Sequence, residues 1–583
     1  MANSMGSLFI GGSGLKTSQN ALNATANNFA NVDTKGYVRE RVLQEDRHYD
    51  TYKTTAAIGP SQSGFGVAIG DVIHARDIFL DKTFRTQSGR LGFYSTTYET
   101  IMEAETLFQE LQGTAFQEVL DSGESSLWVA FQEFAKDPSN RTSQNLIIQT
   151  ADLFVTRSKA VYDSLKTYQL NMNHQISDAI DEINDIGEKI RILNLDIMRI
   201  ESGGLETAMD LRDQRDLLLD ELALYGDITY KELGNGVVKV NFEGVSFIDE
   251  TRVYGIGKQV DDVTGFITPY WTHLSNMEKG EYYKVYDTTA EISTANKNDI
   301  GSLKALILGR GDKYANYTDL KGVSMSQYDK TLGNSVMMNV EAELDMLVHT
   351  LVTSINDLFV PNIASQTAIT GTDENGNTVS FAAGTRILDT ENCYVGADEA
   401  LPPQELFVRT GCSRYTKVLG DDGKTYYVYN EEDPKDTAKQ YTIGSIHVNP
   451  ALLESESKLP VYLQNGREGE LPVAHQKLAD DLAALWEKDI MFLSPHDTTP
   501  CTFSEFYAKM TGELTTLGNV FGSTASGLEG TALSTDNARQ QVIGVSSDEE
   551  LTNMIKFQNA YNASSRFINV IDEMLETIIY KLG

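Results

Sequence analysis

Toward the C-terminus of the chain, Met554, Phe557, Tyr561, Ser564, Ile568, Ile571, Leu575, Ile578 and Leu582 follow one another in alternating steps of three and four. Only Ser564 in this series is not apolar. The rhythm is that of a coiled-coil seam, in which an under-wound helix keeps one narrow stripe toward a partner. At the other end, Leu8, Leu15, Leu22 and Phe29 recur every seven residues with, Phe9 and Ile10 apart, small or polar residues between them. A lone helix in water cannot satisfy a seam this narrow. Each end therefore requires a partner, and the other end of the chain is the first candidate.

Between the seams the pattern changes twice. Residues 1–34 read as helix interrupted at Gly11, Gly12 and Gly14. A loop follows to about residue 75, rich in Gly36, Gly59-Pro60, Gly64, Gly66 and Gly70. Helices are expected over 93–112 and over 124–136, the latter stopped at Asp137-Pro138. The longest runs from 141 to 202 on a seam of Ile176, Ile180, Ile183, Gly187, Ile190, Asn194 and Ile197. Gly203-Gly204 ends it, and a second helix returns over 206–225. From 230 the period becomes two: Val238, Val240 and Phe242 alternate with polar residues after the turn signal Asn235-Gly236. A helix over 336–359, carrying Val340, Leu344, Leu347, Leu351 and Ile355, interrupts the β-like material. Strand patterns resume over 363–475, with turns at Asp373–Gly376 and Asp421–Gly423. Helices are then expected at 476–488 and 502–520, with a Gly/Ser/Thr-rich joint at 522–535.

This order predicts an α+β, elongated, multi-domain protein. Its terminal helices form a coiled coil, a long helical bundle domain follows, and β-rich insertions lie outermost. The expected segments are 1–50 with 545–583, then 51–230 with 300–362 and 500–544, then 231–299, then 363–499. At 583 residues, a chain with roughly 150 residues per domain holds about four such units.

The charge of −35 argues against nucleic acid and anionic membranes, because phosphate recognition needs clustered Lys and Arg. No run of 18 apolar residues suggests a membrane span, and the N-terminus lacks the basic and apolar regions of a cleaved signal peptide. Cys393, Cys412 and Cys501 cannot all pair, form no C-x-x-C, and are read as free thiols. The eight histidines show no metal-ligand spacing. The Gly64–Gly70 stretch lacks the strand–helix flanks of a nucleotide loop. The acidic run Asp210–Glu221 reads as charge packing along one helix, with Arg212 near Asp216. No catalytic, cofactor-binding or metal-binding set is expected, and the chain is not read as an enzyme.

The stretch Ala26-Asn27-Asn28-Phe29-Ala30-Asn31-Val32-Asp33-Thr34-Lys35-Gly36-Tyr37-Val38-Arg39 resembles the N-terminal signature of flagellar axial proteins, with Lys35 where proline is common. Its asparagines offer side-chain hydrogen bonds that compete with helix, and Gly36 permits the turn. Asp213-Gln214-Arg215-Asp216-Leu217-Leu218 resembles the D-Q-R-D-x-L helix of the hook-associated protein 1 family. Gly544–Glu550 followed by Phe557–Ser564 is similar to that family's C-terminal segment, and Ser547 with Glu550 has the spacing of a capping box.

The resemblance implies a structural subunit joining hook to filament. It would be exported by the flagellar type III route without a cleaved signal and lie outside the cell in the flagellum. Implied partners are further copies in a ring or short tube, hook protein, the second junction protein with flagellin-type subunits, and a flagellar export chaperone. The expected assembly residues are Leu8, Leu15, Leu22, Asn27, Asn28, Phe29, Asn31, Gly36, Tyr37, Phe557, Tyr561, Ile568, Ile571, Leu575 and Ile578. A hook or distal-rod protein is the alternative within the class; a secreted adhesin or coiled-coil effector is the alternative outside it.

Overall fold

A computed structural model of the protein describes residues 2–46, 50–51, 62–63, 66–74, 76–109, 116–203, 207–463 and 474–581. Gly59-Pro60, Gly64, Gly204 and Leu582 of the sequence reading lie outside these residues, as do the side chain of Ile578 and the end of the 93–112 helix. The helices are α1 (Ala2–Ala30), α2 (Ile78–Gln109), α3 (Leu127–Lys136), α4 (Arg141–Glu201), α5 (Met209–Tyr225) and α6 (Ser302–Arg310). They continue as α7 (Met325–Lys330), α8 (Val336–Phe359), α9 (Pro450–Glu454), α10 (Gln476–Ala483), α11 (Phe503–Ile543) and α12 (Ser547–Lys581).

Two compact units result. One comprises residues 1–92, 181–255 and 526–583; the other comprises 93–180 and 256–525. This division cuts across the four expected segments, because α2, α4 and α11 each supply residues to both units.

Two predicted breaks are absent. The first is in α1, which runs unbroken through Gly11, Gly12 and Gly14. The second is in α11, which continues through the Gly/Ser/Thr-rich stretch at 522–535. Gly11, Gly14 and Gly522 serve close packing instead, while Gly12, Gly527 and Gly530 face open space. A Cβ on Gly522 would lie 2.7 Å from the Tyr98 ring, and one on Gly518 would lie 3.3 Å from Ile101. The hydroxyls of Thr524, Thr531 and Thr535 donate to the carbonyls of Val520, Gly527 and Thr531, so none of them competes for another conformation.

In the first unit, strand Val238–Phe242 pairs antiparallel with Ile228–Glu232 and with Val245–Ile248. Val238, Val240 and Phe242 are buried as their alternation predicts, and Gly236 takes a left-handed φ of +82° in the turn. On α4, the isoleucines of the predicted seam are all buried, and so is Asn194. A Cβ on Gly187 would stand 2.5 Å from Phe247, which explains a glycine within the seam. Asn194 is tolerated there because it donates to Val238 O and accepts from Val238 N and Arg215.

The second unit is built round an apolar core that joins α3, α8, α10, the first part of α11 and the start of α4. Helix α8 is its axis, with Val340, Leu344, Leu347, Leu351 and Ile355 all buried. Residues 362–429 form a six-stranded antiparallel sheet in the order Asn362–Ala364, Arg386–Leu388, Thr425–Tyr429, Tyr415–Gly420, Ile369–Asp373, Thr378–Phe381. Gly376 and Gly423 close the two predicted turns with left-handed φ. Cys393, Cys412 and Cys501 are free thiols.

Because Leu347 is fully buried in a core that cannot collapse round a void, Leu347→Ala is expected to destabilise this unit by about 2–5 kcal/mol. In urea the transition midpoint should fall with an unchanged m-value; a change below about 0.5 kcal/mol would contradict α8 as the core axis.

Candidate assembly site

In the first unit α1 and α12 pack antiparallel: Gly11 faces Ile568, Gly14 faces Ser564, and Asn28 bonds Glu550. On α12 the predicted seam is the least exposed face, with Phe557, Tyr561, Ile568 and Leu575 half-buried and Ile571 fully buried. On α1 the contact falls elsewhere. Gly11, Gly14, Ser18, Ala21, Thr25 and Asn28, again in steps of three and four, form the inward stripe. The stripe of Leu8, Leu15, Leu22 and Phe29 lies roughly a quarter-turn away. Leu15 and Leu22 are half-buried there, while Leu8 and Phe29 are exposed. The physical reason is closeness of approach. A Cβ at Gly11 would sit 2.7 Å from Ile568, and one at Gly14 would sit 2.8 Å from the Ser564 hydroxyl, so larger residues there would push the helices apart. The missed signal was this periodic run of small residues, which resembled loop punctuation more than a seam.

The asparagine motif caps this pair. Asn28, almost wholly buried, uses its full hydrogen-bonding capacity. Its Nδ2 donates to Glu40 O and Glu550 Oε2, and its Oδ1 accepts from the Tyr37 hydroxyl and Glu40 N. Asn27 donates to the Glu40 carboxylate, and Asn31 Nδ2 donates back to Asn27 O. Thr34 donates to Asn31 Oδ1, and Gly36 turns the chain with φ +82° close against Leu217. Burial, with Glu40 alongside, pushes the Tyr37 hydroxyl well above its ordinary pKa and keeps it a donor. Arg39 N donates to Ile543 O, and the Arg39 guanidinium reaches Glu549 at 3.0 Å and Glu550 at 2.7 Å. The Glu550 carboxylate is thus directed to Asn28 and Arg39, a long-range role where a local capping box was expected.

The DQRD helix α5 completes the arrangement, and its charges correct the expectation of pairing along one helix. Asp213 accepts from Val38 N at 3.0 Å and lies 2.9 Å from His74 Nδ1, joining the asparagine turn to strand Val67–His74. Arg212 grips Glu201 through two bonds of 2.7 Å. Arg215, fully buried, donates to Asn194 and Gly236 O, and burial pulls its pKa down to about 10. Asp216 pairs with Arg76 and Arg85, and Asp220 takes 2.6 Å bonds from both Arg85 and Arg539. Arg539 also reaches Asp536 and Asp81 and lies 4.1 Å over the Phe84 ring. Each motif charge finds its partner on another element. Arg212 and Asp216 share a face of α5, but Glu201 engages Arg212 and the pair Arg76 and Arg85 engages Asp216, because α5 is enclosed by opposite charges.

The site is built from positioning interactions. Among the described residues no group of three His, Cys, Asp or Glu side chains is arranged to hold a metal ion. Asn28→Ala would leave the Tyr37 hydroxyl, both Glu40 backbone groups and Glu550 short of a partner. Each orphaned group costs about 1–3 kcal/mol. Amide exchange over residues 37–46 and 547–555 should accelerate by at least about tenfold while 336–359 is unchanged; unaltered exchange at both would contradict the hub.

Much of the chain that carries this geometry is matched in other proteins. A family described as "Flagellar hook-associated protein FlgK helical domain" matches residues 101–360. "Flagellar basal body rod FlgEFG protein C-terminal" matches 541–580, and "Flagella basal body rod protein" matches 8–37. Flagellar hook-associated protein 1 of Bacillus subtilis (strain 168) is 25% identical over 582 residues, covering 98% of this chain and 96% of the relative. The fold is similar to that of the flagellar hook junction protein FlgK from Burkholderia pseudomallei. That match has a TM-score of 0.50 and 11% identity, over 79% of this chain and 100% of that one. Both terminal signatures, the helical domain and a nearly full-length similarity agree, and the chain is similar to flagellar hook-associated protein 1 over almost its whole length.

Proposed function

We infer that the protein is a structural subunit of the bacterial flagellum that joins hook to filament, leaves the cell by the flagellar type III route, and assembles through its terminal helices. The observation that carries this is the second face of the α1–α12 pair. The inward seam on α1 is made mainly of small residues, and among the described side chains of the α12 seam only Ile571 is fully buried. Phe9, Ile555, Met574 and Tyr580 remain largely exposed, at 61%, 60%, 60% and 81%. A pair that hides so little of its apolar surface is weak alone, since burying a side chain of this size contributes about 1.5–3 kcal/mol. A ring of copies related by one repeated contact would cover these residues on every subunit.

The terminal helices then order when subunits dock, and the ordering entropy is lost only at assembly. Hook protein on one side, and the second junction protein with flagellin-type subunits on the other, are the neighbours this reading supplies; a flagellar export chaperone would accompany the chain before export. Among the described residues no helix is long and apolar enough to cross a membrane. The residues from 363 to 499 lie in the second unit and are proposed as the outer part of the subunit.

Ile571→Glu is expected to abolish incorporation between hook and filament, scored by labelling isolated flagella, while the melting of residues 93–180 and 256–525 stays unchanged. Normal incorporation would count against an assembly contact through this seam. In the soluble monomer, amides of 2–26 and 556–581, beyond the Asn28 hub, should exchange within seconds to minutes; full protection there would end the idea of folding on docking.

A further inference from the structure

Helix α8 buries four ionisable side chains in the second unit, and three of them are held by groups on other elements. Glu341 accepts from Ala315 N and Gln169 Nε2, Asp345 accepts from Tyr317 N and Ile443 N, and His349 lies 3.0 Å from Glu432. Glu343 differs. It is 2% exposed, and its one hydrogen bond comes from the neutral amide of Asn339, one turn earlier. Its carboxylate lines a cavity of about 300 Å³ between α8 and α11, walled by Phe93, Val340, Leu514 and Phe521. Glu513 of α11 lines the same cavity, as does Glu291.

The other charged groups acting on this pair are few and mostly of the same sign. Asp497, in the segment before α11, adds a further carboxylate that acts on both Glu343 and Glu513. The Tyr328 hydroxyl of α7 feels both glutamates and Asp329. His496 is the one titratable base acting on Glu513, and its Nε2 is 2.7 Å from Asp329. Burial first and Glu513 second raise the Glu343 carboxyl well above the ordinary carboxylate range, and burial with Asp497 raises that of Glu513.

We propose that Glu343 and Glu513 form an acid-tightened clamp between α8 and the 503–521 stretch of α11. With a proton on Glu343, the cavity holds a neutral carboxyl at its buried end and the exposed carboxylate of Glu513 at its mouth. When that proton leaves for solvent, two carboxylates and Asp497 repel across a space large enough for water, and the α11 stretch loosens from α8. The sign follows from linkage. A carboxyl raised in the folded state keeps its proton where the unfolded chain has lost it, so its contribution is fully present at or below about pH 4.3. That contribution is lost as pH rises from there through the raised folded-state value. Nothing in this inference depends on where the subunit sits in the flagellum.

The test is amide exchange of residues 503–521 in the full-length chain between pH 5 and 9, corrected for intrinsic exchange, in wild type, Glu343→Gln and Glu513→Gln. The wild-type opening equilibrium should rise by up to about tenfold per pH unit across part of this range. Glu343→Gln keeps the shape and the Asn339 contact, so it should flatten the profile to within about twofold and protect the stretch at the alkaline end. Glu513→Gln, at an exposed position that tolerates change, should end the wild-type rise at a lower pH and leave Glu343→Gln unaffected. Parallel profiles for wild type and Glu343→Gln would overturn the clamp; a Glu513→Gln profile that superimposes on wild type would remove Glu513 from it.

Discussion

One buried amide joins the two ends of this chain. Asn28 bonds Glu550 across a separation of 522 positions, and the same side chain holds the turn that leads out of α1. Bringing ends so distant together carries a large loop-closure entropy, and a seam of glycine, serine, alanine and threonine gives little apolar burial to offset it. The saturated hydrogen bonds of Asn28 and the Arg39–Glu549–Glu550 contacts set the register that the small seam leaves loose. Because Arg39 N also bonds Ile543 O, the same contacts fix where α11 ends and α12 begins.

The two units are stabilised by different physics. The first is rich in ion pairs between elements: Arg85 and Arg539 converge on Asp220, Arg76 and Arg85 on Asp216, and His74 on Asp213. Such networks supply orientation more than net stability, because desolvation offsets much of their attraction. The second unit relies on a large apolar core about α8, and the buried Glu341 and Asp345 of that helix accept from backbone amides.

Several elements were legible from residue pattern. The α4 seam, the 336–359 helix, the alternation at Val238–Phe242 and the two Gly turns of the large sheet all appear where periodicity and turn chemistry put them. The C-terminal seam is the inward face of α12. The leucines of α1 misled as to its inward face, because a heptad of large residues is a louder signal than a heptad of small ones. The glycines of α1 and the Gly/Ser/Thr stretch of α11 misled in the same way. Their intrinsic preference is against helix, and tertiary packing reversed it.

The motifs could be recognised from sequence as belonging together, but their contacts could not be read from it. Local spacing dictates period, turn chemistry and which residues can share a face, so the elements and the resemblance followed from order alone. Which face meets which partner depends on atoms hundreds of positions away: Ile568 against Gly11, Asp213 against Val38 N, Arg539 against Asp220. Those pairings are set by distance of approach and by the dielectric of the buried site. Both are properties of the folded chain, and neither is written in the spacing of its residues.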